Sequence, residues 1–547
     1  MQLRRVEIIK YKNFENIVID FEKSDFPNVF SIASKNGGGK STLLQFIFIM
    51  LHCFSDDNKK KYIQNLLEDI NYLSNSQTDL AKFQIIENNI DYYFDFSIVE
   101  AEDRNRNFNL YLDEEDLQKE IKKNDIRRKK YEELISIKDT LLSTKRVSPL
   151  IKRKISQIRM EYRRESEELE DLSRIIMRPN TSTDDYLNFI NLILSDVIEF
   201  NIADFNELKD VYEDVKISLN SLEEDLKSKN YRYITHINNG DNVLLLKTNM
   251  NIELFDKLSN KVFLTAPSTQ IFNFLDSNDK LKIFNSLSEN TNMDEPYSQV
   301  IEELKYDINN FYTYDFFSIE VIIKAVNKAF EDDSDQKLVN GNYGTNFDDL
   351  IKELNFLLEN KNIIVEKKNK KRNIIFKSRD GRNLSPTELS HGELKKLGIF
   401  IWLKYLVEEN SIVLMDEIDI ALHPKWQYDL IKDLTCWSKD SQFLLATHSP
   451  QILSSTYYKN IIKLDNGKVK RFNKPPVDRD INTIITQIME ADDFPVELLI
   501  LHKEYRKLIN EGKLTTKEAK KLKEKILEYE SENSSFFQEI NFDLELM

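Results

Sequence analysis

The sequence predicts an α/β protein whose two ends build one head around a parallel sheet, with a large, mainly helical insertion between them and a helical tail. Three observations predict this fold. An apolar strand at residues 29–33 runs into a glycine-rich turn and an apolar helix. Two further apolar strands that end in polar groups occur only after residue 400. Between the glycine-rich turn and these later strands, residues 113–177 have apolar residues spaced among charged ones, as in long helices.

These patterns divide the 547 residues into four segments, as expected for a chain too long for one compact core. Pro149 interrupts the helical pattern, which predicts an antiparallel hairpin, and Pro475-Pro476 precedes the tail. The expected segments are an N-terminal lobe (1–110), the insertion (111–345), a C-terminal lobe (346–476) and the tail (477–547), a candidate partner-docking segment.

Composition limits the class of protein. The two cysteines, Cys53 and Cys436, exclude a disulfide framework and suit a reducing compartment. No apolar run approaches the length of a signal peptide or a membrane span, so we expect a cytoplasmic protein without a membrane partner. The net charge of −16 argues against a generic nucleic-acid coat. Charge is uneven, however: residues 119–164 hold 16 Lys/Arg and 6 Asp/Glu, a local net of +10.

The glycine-rich turn has the pattern of a phosphate-binding loop, with Ser34 where a glycine usually stands. Glycines let backbone N–H groups approach phosphates, and the positive end of the following helix favours the same anion. Lys40 would place a charge between the β- and γ-phosphates, and the Ser41 hydroxyl would bind Mg²⁺. We therefore predict that ATP and Mg²⁺ bind here. The predicted contacts are Asn36, Gly37, Gly38, Gly39, Lys40, Ser41 and Thr42.

The apolar strand 411–415 ends in two carboxylates, Asp416 and Glu417. In a parallel sheet this end lies beside the phosphate loop. Asp416 is the predicted Mg²⁺ ligand, and Glu417 the predicted residue that activates the attacking water. Taken alone, such a pair is more often a solvated turn. The phosphate loop elsewhere in the chain makes the functional interpretation the stronger one.

Two further motifs follow the same logic. Ser390 and Gly392 open a helix about twenty residues before the carboxylate strand, so they could cap a phosphate. His448 ends another apolar strand, where it could contact the γ-phosphate. A helix cap or a lone histidine is usually structural, and the order of the motifs is what favours function.

This order resembles the head of ABC-type ATPases. More narrowly, the segments 416–424 (DEIDIALHP) and 446–450 (ATHSP) are similar to the AAA15/OLD/RecF-like branch. The resemblance covers residues 1–60 and about 380–465. It places Asp419 at the nucleotide-contacting D-loop position. The sequence does not fix the glutamine of the Q-loop, for which Gln84 is one candidate.

The resemblance implies a mechanism in which two heads enclose two ATP molecules. Lys40, Ser41, Asp416, Glu417 and His448 of one chain would then face Ser390 and Gly392 of the other. Hydrolysis would require a homodimer, and higher oligomers remain an open alternative.

The tail segments 477–485 and 510–513 are similar to the C-terminus of the Septu antiphage ATPase subunit, including its retron-associated form. This resemblance implies a separate HNH-type nuclease subunit and, in the retron form, a reverse transcriptase with its RNA–DNA product. OLD-type relatives carry a nuclease domain after the head, and the residues that follow the last head motif are too few for one. We find no nuclease site and expect that any cutting is done by a partner.

The basic hairpin is the remaining candidate site. It could follow a nucleic-acid backbone, form an ordinary solvated surface, or dock an acidic protein. The nucleic-acid candidates are Arg127, Arg128, Lys129, Lys130, Lys152, Arg153 and Lys154.

The favoured function is an ATP-hydrolysing regulatory subunit of a prokaryotic antiviral complex that controls a separate nuclease. The first alternative is a RecF-like ATPase of DNA repair or maintenance. The second is an assembly scaffold that binds ATP and turns it over little.

Overall fold

The computed structural model divides the chain into two compact units. Unit 1 comprises Met1–Ser74, Thr78–Ser97 and Leu246–Met547, and unit 2 comprises Asn75–Gln77 and Ile98–Leu245. The structure describes residues 1–22, 27–35, 37–68, 77–103, 106–162, 167–176, 178, 181–197, 201–277, 280–281, 303–304, 306–308, 310–314, 318–358, 363–367, 374–378, 380–384, 388–465, 467–491 and 494–546.

Strands are numbered in chain order. They are β1 (Gln2–Tyr11), β2 (Phe14–Asp20), β3 (Val29–Ser34), β4 (Gln77–Glu87), β5 (Ile90–Glu100), β6 (Glu102–Asp103), β7 (Arg106–Asn107), β8 (Tyr231–Ile237), β9 (Asn242–Thr248), β10 (Val262–Ala266), β11 (Phe311–Thr313), β12 (Ile363–Lys367), β13 (Ile374–Ser378), β14 (Asn383–Leu384), β15 (Ile412–Asp416), β16 (Gln442–Ala446), β17 (Ile461–Asp465) and β18 (Lys468–Arg471).

Helices are named by their residues. The α-helices are Lys40–His52, Lys60–Leu67, Leu110–Thr144, Pro149–Tyr162, Glu167–Ile175, Thr183–Leu192, Ile202–Ser228, Phe255–Ser259, Ser318–Asn340, Asn346–Leu357, His391–Ile401, Pro424–Trp437, Pro450–Ser455, Ile481–Thr483, Val496–Asn510, Lys517–Leu527 and Ser535–Leu546. Wider π-type turns occur at Ile193–Val197, Trp402–Leu406 and Ile484–Met489. Short 3₁₀ turns occur at Asp57–Lys59, Asn238–Gly240, Ile252–Leu254, Ser268–Phe274 and Tyr458–Asn460.

A seven-stranded sheet forms the centre of unit 1, in the order β11-β10-β15-β16-β3-β17-β18. Its strands run parallel except for the edge strand β18. The inner strands β10, β15 and β16 are buried along their whole length, as their continuous apolar runs predict. β3 precedes the phosphate loop, and β15 and β16 are the two strands that end in polar groups. β16 lies between β15 and β3, so all three are adjacent in this sheet.

The register of these strands sets the position of the site. Asp416 at the end of β15 lies opposite Ala446 on β16, and Ala446 lies opposite Ile32 on β3. The carboxyl ends of all three strands therefore reach the same edge of the sheet. Strand order and motif positions together give the ABC-type P-loop ATPase head, and the fold class predicted from the sequence is confirmed.

The helix Lys40–His52 after the phosphate loop is buried on nearly all sides. A helix that is apolar all round is one that packs inside a core, and Leu43 to Leu51 fit this description. Gly39 begins the helix in a left-handed conformation with φ of 89°. The sheet and this helix thus hold the amino end of the helix at the site.

Unit 1 also contains the antiparallel strands β2, β1 and β4 with most of β5. The turn between β1 and β2 is tight, and Lys12 in it has a φ of 48°. Among the helices that the structure describes, none is both long enough and apolar enough to cross a lipid bilayer.

The tail consists of two parts. Ile484 and Ile488 pack against Ala33, Leu453 and Ile461 of the head. From residue 496 onward three helices share a core of their own, formed by Leu498, Tyr505, Ile509, Ala519, Ile526, Phe536, Phe537 and Ile540. The beginning of the tail is therefore part of the head, and the rest has an independent core.

Unit 2 contains the charged hairpin. The helix Leu110–Thr144 ends at Lys145 in a left-handed conformation, and Pro149 begins the next helix. Leu134, Ile137 and Leu141 share a buried cluster with Ile151 and Ile155. Ion pairs join Lys130 to Glu161 and Lys154 to Glu133, which gives the antiparallel arrangement.

The boundaries drawn at residues 110, 345 and 476 stay predictions. Within the segment 111–345 the structure gives unit 2 only as far as Leu245, whereas β10 and β11 join the parallel sheet of unit 1. Alternating charge and apolar spacing in this region did not reveal those two short buried strands.

Candidate functional site

A cavity of about 280 Å³ opens at the carboxyl ends of β3, β15 and β16. It is lined by Lys12, Asn13, Phe14, Gly37, Gly38, Gly39, Lys40, Ser41, Thr42, Glu417 and His448. Most of the residues predicted to bind nucleotide therefore surround one space. Asn36, which was predicted with them, lies outside the described residues.

The glycines of the loop have a steric role. Gly37 and Gly39 have φ angles of 75° and 89°, which other residues rarely adopt. A Cβ on Gly38 would lie 2.6 Å from the Cβ of Ser34. Ser34 therefore fits in place of the usual glycine because Gly38 has no side chain. The first N–H groups of the helix have no partner within the helix and can face an anion.

Lys40 is 6% exposed and makes two polar contacts. Its ammonium donates to Ser34 Oγ at 3.0 Å and lies 2.7 Å from His448 Nε2. Burial lowers the pKa of Lys40, and the carboxylates of Asp416, Asp419 and Glu417 oppose that shift. Burial and the Lys40 charge also lower the pKa of His448, so its ring is neutral near pH 7 and accepts from Lys40.

Asp416 fits a divalent cation. It is 1% exposed, and neither carboxylate oxygen has a well-formed hydrogen bond among the described residues. Burial raises the pKa of Asp416 to about 6, while the nearby Ser41 hydroxyl and Lys40 ammonium lower it in part. Buried carboxylates need a partner. A cation held between Asp416 and Ser41 would supply one, and hard oxygen ligands of this kind suit Mg²⁺.

Glu417 lies at the cavity wall with an unusual backbone. Its φ is 49°, and its N–H donates to the Ala446 carbonyl at 3.0 Å. The chain turns at the end of β15, so Asp416 is buried beneath the cavity while Glu417 lines it. This separation gives the two adjacent carboxylates different environments, as different roles require.

Asp419 is fixed to the neighbouring strand end. Its Oδ1 accepts from the Thr447 hydroxyl at 2.7 Å. Gln427 Nε2 donates to the Asp419 carbonyl at 3.1 Å, and Ser449 Oγ donates to Gln427 Oε1 at 2.7 Å. The D-loop position and the segment around His448 are therefore one hydrogen-bonded network.

Ser390 and Gly392 begin the helix His391–Ile401, called the signature helix below. Ser390 caps this helix. Its hydroxyl accepts from the Glu393 N–H, and the Glu393 carboxylate accepts from the Ser390 N–H. A Cβ on Gly392 would meet the Ala421 carbonyl oxygen at 2.4 Å. Neither residue is among the described lining of the cavity, and the contact of both with a second chain's nucleotide stays a prediction.

Lys395 on the signature helix was missed by sequence reasoning. It is 2% exposed. Its ammonium donates to the carbonyls of Glu417 at 3.2 Å and Ile420 at 2.9 Å, and it lies 3.9 Å from the ring centroid of Tyr314. A single buried cation thus connects the signature helix to the segment 417–420. In the sequence it is one lysine of a helical Leu-Lys-Lys pattern, and nothing separates it from Lys396.

The β1–β2 turn at Lys12, Asn13 and Phe14 was also missed. Phe14 is 1% exposed, and a Cβ on Gly39 would meet its ring at 2.7 Å. A Cβ on Gly467, whose φ is 75°, would lie 2.2 Å from the Asn13 carbonyl oxygen. The turn is thus held between the phosphate loop and the β17–β18 turn, with Lys12 on the cavity. An ordinary hairpin sequence gave no signal of this.

The structure places the candidate Gln84 on β4, where its amide donates to Asp91 at 3.3 Å. It is not among the described lining residues. Gln270 follows β10, the neighbour of β15, and its Oε1 accepts from Gln45 of the phosphate-loop helix at 2.9 Å. Of the two, Gln270 has the position beside the nucleotide-binding elements.

In unit 2 the predicted basic residues separate into two groups. Lys130 and Lys154 form the ion pairs that join the hairpin, and Arg128 pairs with Asp125 and Glu132. Arg127, Lys129, Lys152 and Arg153 are exposed. The first group therefore contributes to the hairpin itself, and the second presents positive charge to solvent.

Comparison with known proteins supports the resemblance seen in the motifs. Residues 201–454 match the family described as "AAA domain, putative AbiEii toxin, Type IV TA system". This range contains the signature helix, the carboxylate strand and His448. The predicted similarity to ATPases of the AAA15/OLD/RecF-like branch associated with retrons is confirmed.

Two curated relatives are described as probable ATPases of retrons. The chain is 33% identical over 155 residues to the "Retron Ec83 probable ATPase" of Escherichia coli, covering 26% of this chain and 28% of that protein. It is 34% identical over 122 residues to the "Retron Vc95 probable ATPase" of Vibrio cholerae serotype O1 biovar El Tor, covering 21% and 23%. The match thus spans about a quarter of either relative's length.

Solved structures of SMC heads also align. The SMC head domain from Thermotoga maritima aligns over 87% of this chain and 100% of its own, at 9% identity and a TM-score of 0.35. An SMC head with an extended coiled coil from Pyrococcus furiosus, bound to the C-terminal domain of ScpA, aligns over 86% and 95%, at 14% identity and a TM-score of 0.29. Scores of this size do not establish a common fold. The strand order and the motifs are what identify the head.

Proposed function

We propose that this chain binds ATP with Mg²⁺ and hydrolyses it. The observation that carries the proposal is the cavity at the carboxyl ends of β3, β15 and β16. Lys40, Glu417 and His448 line it, and the buried carboxylate of Asp416 lies near the Ser41 hydroxyl, which also lines the cavity.

Each residue has a role that follows from its position. The helix N–H groups and Lys40 hold the phosphates, and Lys40 is already positioned by Ser34 and His448. Ser41 and Asp416 would hold Mg²⁺, which when bound neutralises charge on the phosphates. Glu417 accepts a proton from, and orients, the attacking water. In the Nε2–H tautomer, neutral His448 would donate to the γ-phosphate instead of accepting from Lys40, so it can respond to the loss of that group.

The Lys40→Ala variant tests the site. We expect loss of measurable Mg-ATP binding by calorimetry and a fall in turnover of about 10²–10³-fold, the range for removing one positioned donor. Lys439→Ala is the control, because Lys439 is exposed and precedes the amino end of β16. The proposed site would be wrong if the wild-type chain kept its full turnover in EDTA without added divalent cation. It would also be wrong if Lys40→Ala had wild-type turnover.

We further propose that this ATPase is the regulatory subunit of a prokaryotic antiviral complex. The partial similarity to two retron ATPases supports that context. The partners would be a second copy of the chain, an HNH-type nuclease subunit and, in a retron form, a reverse transcriptase with RNA–DNA. Nucleotide state would alter the dimer and thereby the nuclease.

Co-purification from cells that express the gene with its native neighbours tests this role. Mass spectrometry should identify a nuclease subunit, and nucleic-acid extraction should recover RNA–DNA if the complex is a retron. A homodimer that carries neither, with hydrolysis stimulated by DNA, would favour the RecF-like alternative. The exposed cations of the hairpin are the observation that keeps this alternative open.

We propose that the exposed group on the hairpin, Arg127, Lys129, Lys152 and Arg153, contacts a nucleic-acid backbone. Replacing all four by glutamine should weaken binding and reduce the slope of log K against log salt by about 0.7–0.9 per lost contact. Fluorescence anisotropy over a salt series measures both. A fourfold change of exposed tail lysines (Lys517, Lys520, Lys521 and Lys525) is the control for net charge. An equal effect of both variants would identify the hairpin as an ordinary solvated surface.

A further inference from the structure

A second cavity in unit 1, of about 960 Å³, has the form of a groove between three helices. Its walls come from the helix Asn346–Leu357, the signature helix with its π-turn extension, and the helix Pro424–Trp437. Nothing in the proposed ATP chemistry uses this groove.

The groove has an aromatic lining of which one ring, Phe356, is open to solvent. Phe356 is 75% exposed, which is unusual for a side chain of its size. Phe400 and Trp437 meet edge to face, with ring centroids 5.4 Å apart. The Lys396 ammonium lies 4.8 Å from the ring centroid of Trp426. Phe400 is 4% exposed, and Trp426 and Trp437 are half-buried. A groove with such aromatic walls and one exposed ring can accept the apolar side of a helix.

The charge of the groove is opposite to that of the chain. Five lysines line it against three acidic residues, a local net of +2, whereas the whole chain carries −16. Lys396 and Lys404 pair with acids of the groove, Asp433 and Glu353. Lys425 and Lys432 are exposed on one wall. The groove therefore favours an acidic occupant with apolar anchors.

The last helix of the tail has the complementary chemistry. Residues 527–547 contain six acidic residues and neither lysine nor arginine. In the helix Ser535–Leu546, Phe536, Phe537 and Ile540 are buried in the core of the tail. Leu544 follows Ile540 by one turn and therefore lies on the core side, whereas Phe542 projects from the opposite side and is 63% exposed. The side of this helix that its own core does not cover thus has one large apolar side chain in an acidic segment.

We propose that the groove binds the tail helix Ser535–Leu546 of a second copy of this chain. Phe542 would contact the aromatic lining, and the adjacent Asp543 would face Lys425 and Lys432. Within one chain, Phe356 and Phe542 are both largely exposed, so the helix does not fill the groove of its own chain here. The groove is formed partly by the signature helix, so the tail of one copy would act on the element that carries Ser390 and Gly392 in the other. This extends the proposed homodimer by a contact that does not require ATP.

Cys436 lines the groove and is exposed, whereas Cys53 is fully buried, with burial raising the pKa of its thiol. The chain thus carries one reactive thiol at the groove. A tagged wild-type chain is mixed with an untagged chain that carries Cys436→Ser and Gln538→Cys, and a short bismaleimide is added. Gln538 is exposed one turn before Phe542, so this variant keeps the apolar anchor. We expect a crosslink between the two copies. Glu524→Cys, exposed on the neighbouring tail helix, replaces Gln538→Cys in the control and should crosslink at least ten times less.

Charge reversal separates docking from chance encounter. Lys425→Glu with Lys432→Glu should reduce the crosslink at least tenfold, and Asp543→Lys on the other copy should restore part of it. No crosslink between copies, or a crosslink only within a single chain that carries both Cys436 and Gln538→Cys, would overturn the proposal. So would protection of Cys436 by a nuclease partner but not by a second copy. The variants lie outside the ATP cavity, so a negative result with normal ATP turnover would leave the ATPase proposal standing.

Discussion

Replacing Glu417 by glutamine is expected to lower steady-state ATP turnover by about 10²–10⁴-fold, the range that general-base catalysis contributes. Glutamine has nearly the same size as glutamate, but its amide cannot accept a proton from the attacking water. Asp416, Ser41 and Lys40 remain in place, so Mg-ATP should still bind. A phosphate-release assay measures turnover, and calorimetry at the same Mg²⁺ concentration measures binding. The variant should also accumulate an ATP-bound dimer, because the nucleotide that joins the two heads persists.

Glu409→Gln is the matched control, since Glu409 is exposed and precedes the amino end of β15, away from the cavity. It should have wild-type turnover. Wild-type turnover by Glu417→Gln would show that another group activates the water. Loss of both binding and turnover would mean that Glu417 holds the cation or the phosphates. Loss of turnover with retained binding is the result that the position of Glu417 at the cavity wall predicts.

The head could be predicted from the sequence because its chemistry is concentrated in short motifs at strand ends. Glycines with positive φ, a lysine after them, and two carboxylates after an apolar run are constraints that few other structures impose. The order of strands in a parallel sheet then brings distant segments together. Lys40 and His448 are 408 positions apart and lie within 2.7 Å of each other.

The remaining parts of the site had no such signal. Lys12 lines the cavity because a hairpin turn is held between two glycine turns, and Gln270 lies beside Gln45 because β10 is the neighbour of β15. Both positions depend on which segments are adjacent in space. A long insertion separates these segments in the sequence, so the sequence does not indicate that they are adjacent. For this reason β10 and β11 fell within the predicted insertion.

Two hydrogen-bond networks hold the segment 416–420, one from β16 and one from the signature helix. They suggest how a movement of the signature helix could reach Glu417. Thr447 and Gln427 hold Asp419 from the side of β16, and Lys395 holds Glu417 and Ile420 from the signature helix. A shift of the signature helix would therefore move the carbonyls of Glu417 and Ile420 and, with them, the carboxylate proposed to activate water. This helix also forms a wall of the aromatic groove, so occupancy of the groove and the geometry of Glu417 share one element.

The Lys395→Met variant tests this connection. Methionine retains most of the apolar stem but leaves the carbonyls of Glu417 and Ile420 without their donor. We expect the free energy of unfolding to fall by about 1–3 kcal/mol, the cost of buried groups left unsatisfied. Turnover should fall by at least tenfold while the KM for ATP changes little, because Lys395 positions Glu417 and does not contact the nucleotide. Denaturant unfolding and steady-state kinetics at a temperature where the variant is folded measure the two effects.

Lys396→Met is the control, because it makes the same change at the next position of the same helix. Its ammonium is 3.7 Å from Asp433 and lies over Trp426, so it should cost at most about 1 kcal/mol and leave turnover unchanged. If turnover fell equally in both variants, the loss would reflect disturbance of the signature helix in general and would not be specific to the Lys395 contacts. A stability loss in Lys395→Met with normal turnover would assign Lys395 to the core alone. A selective fall in turnover would instead show that the helix that begins at Ser390 sets the position of the carboxylate that activates water.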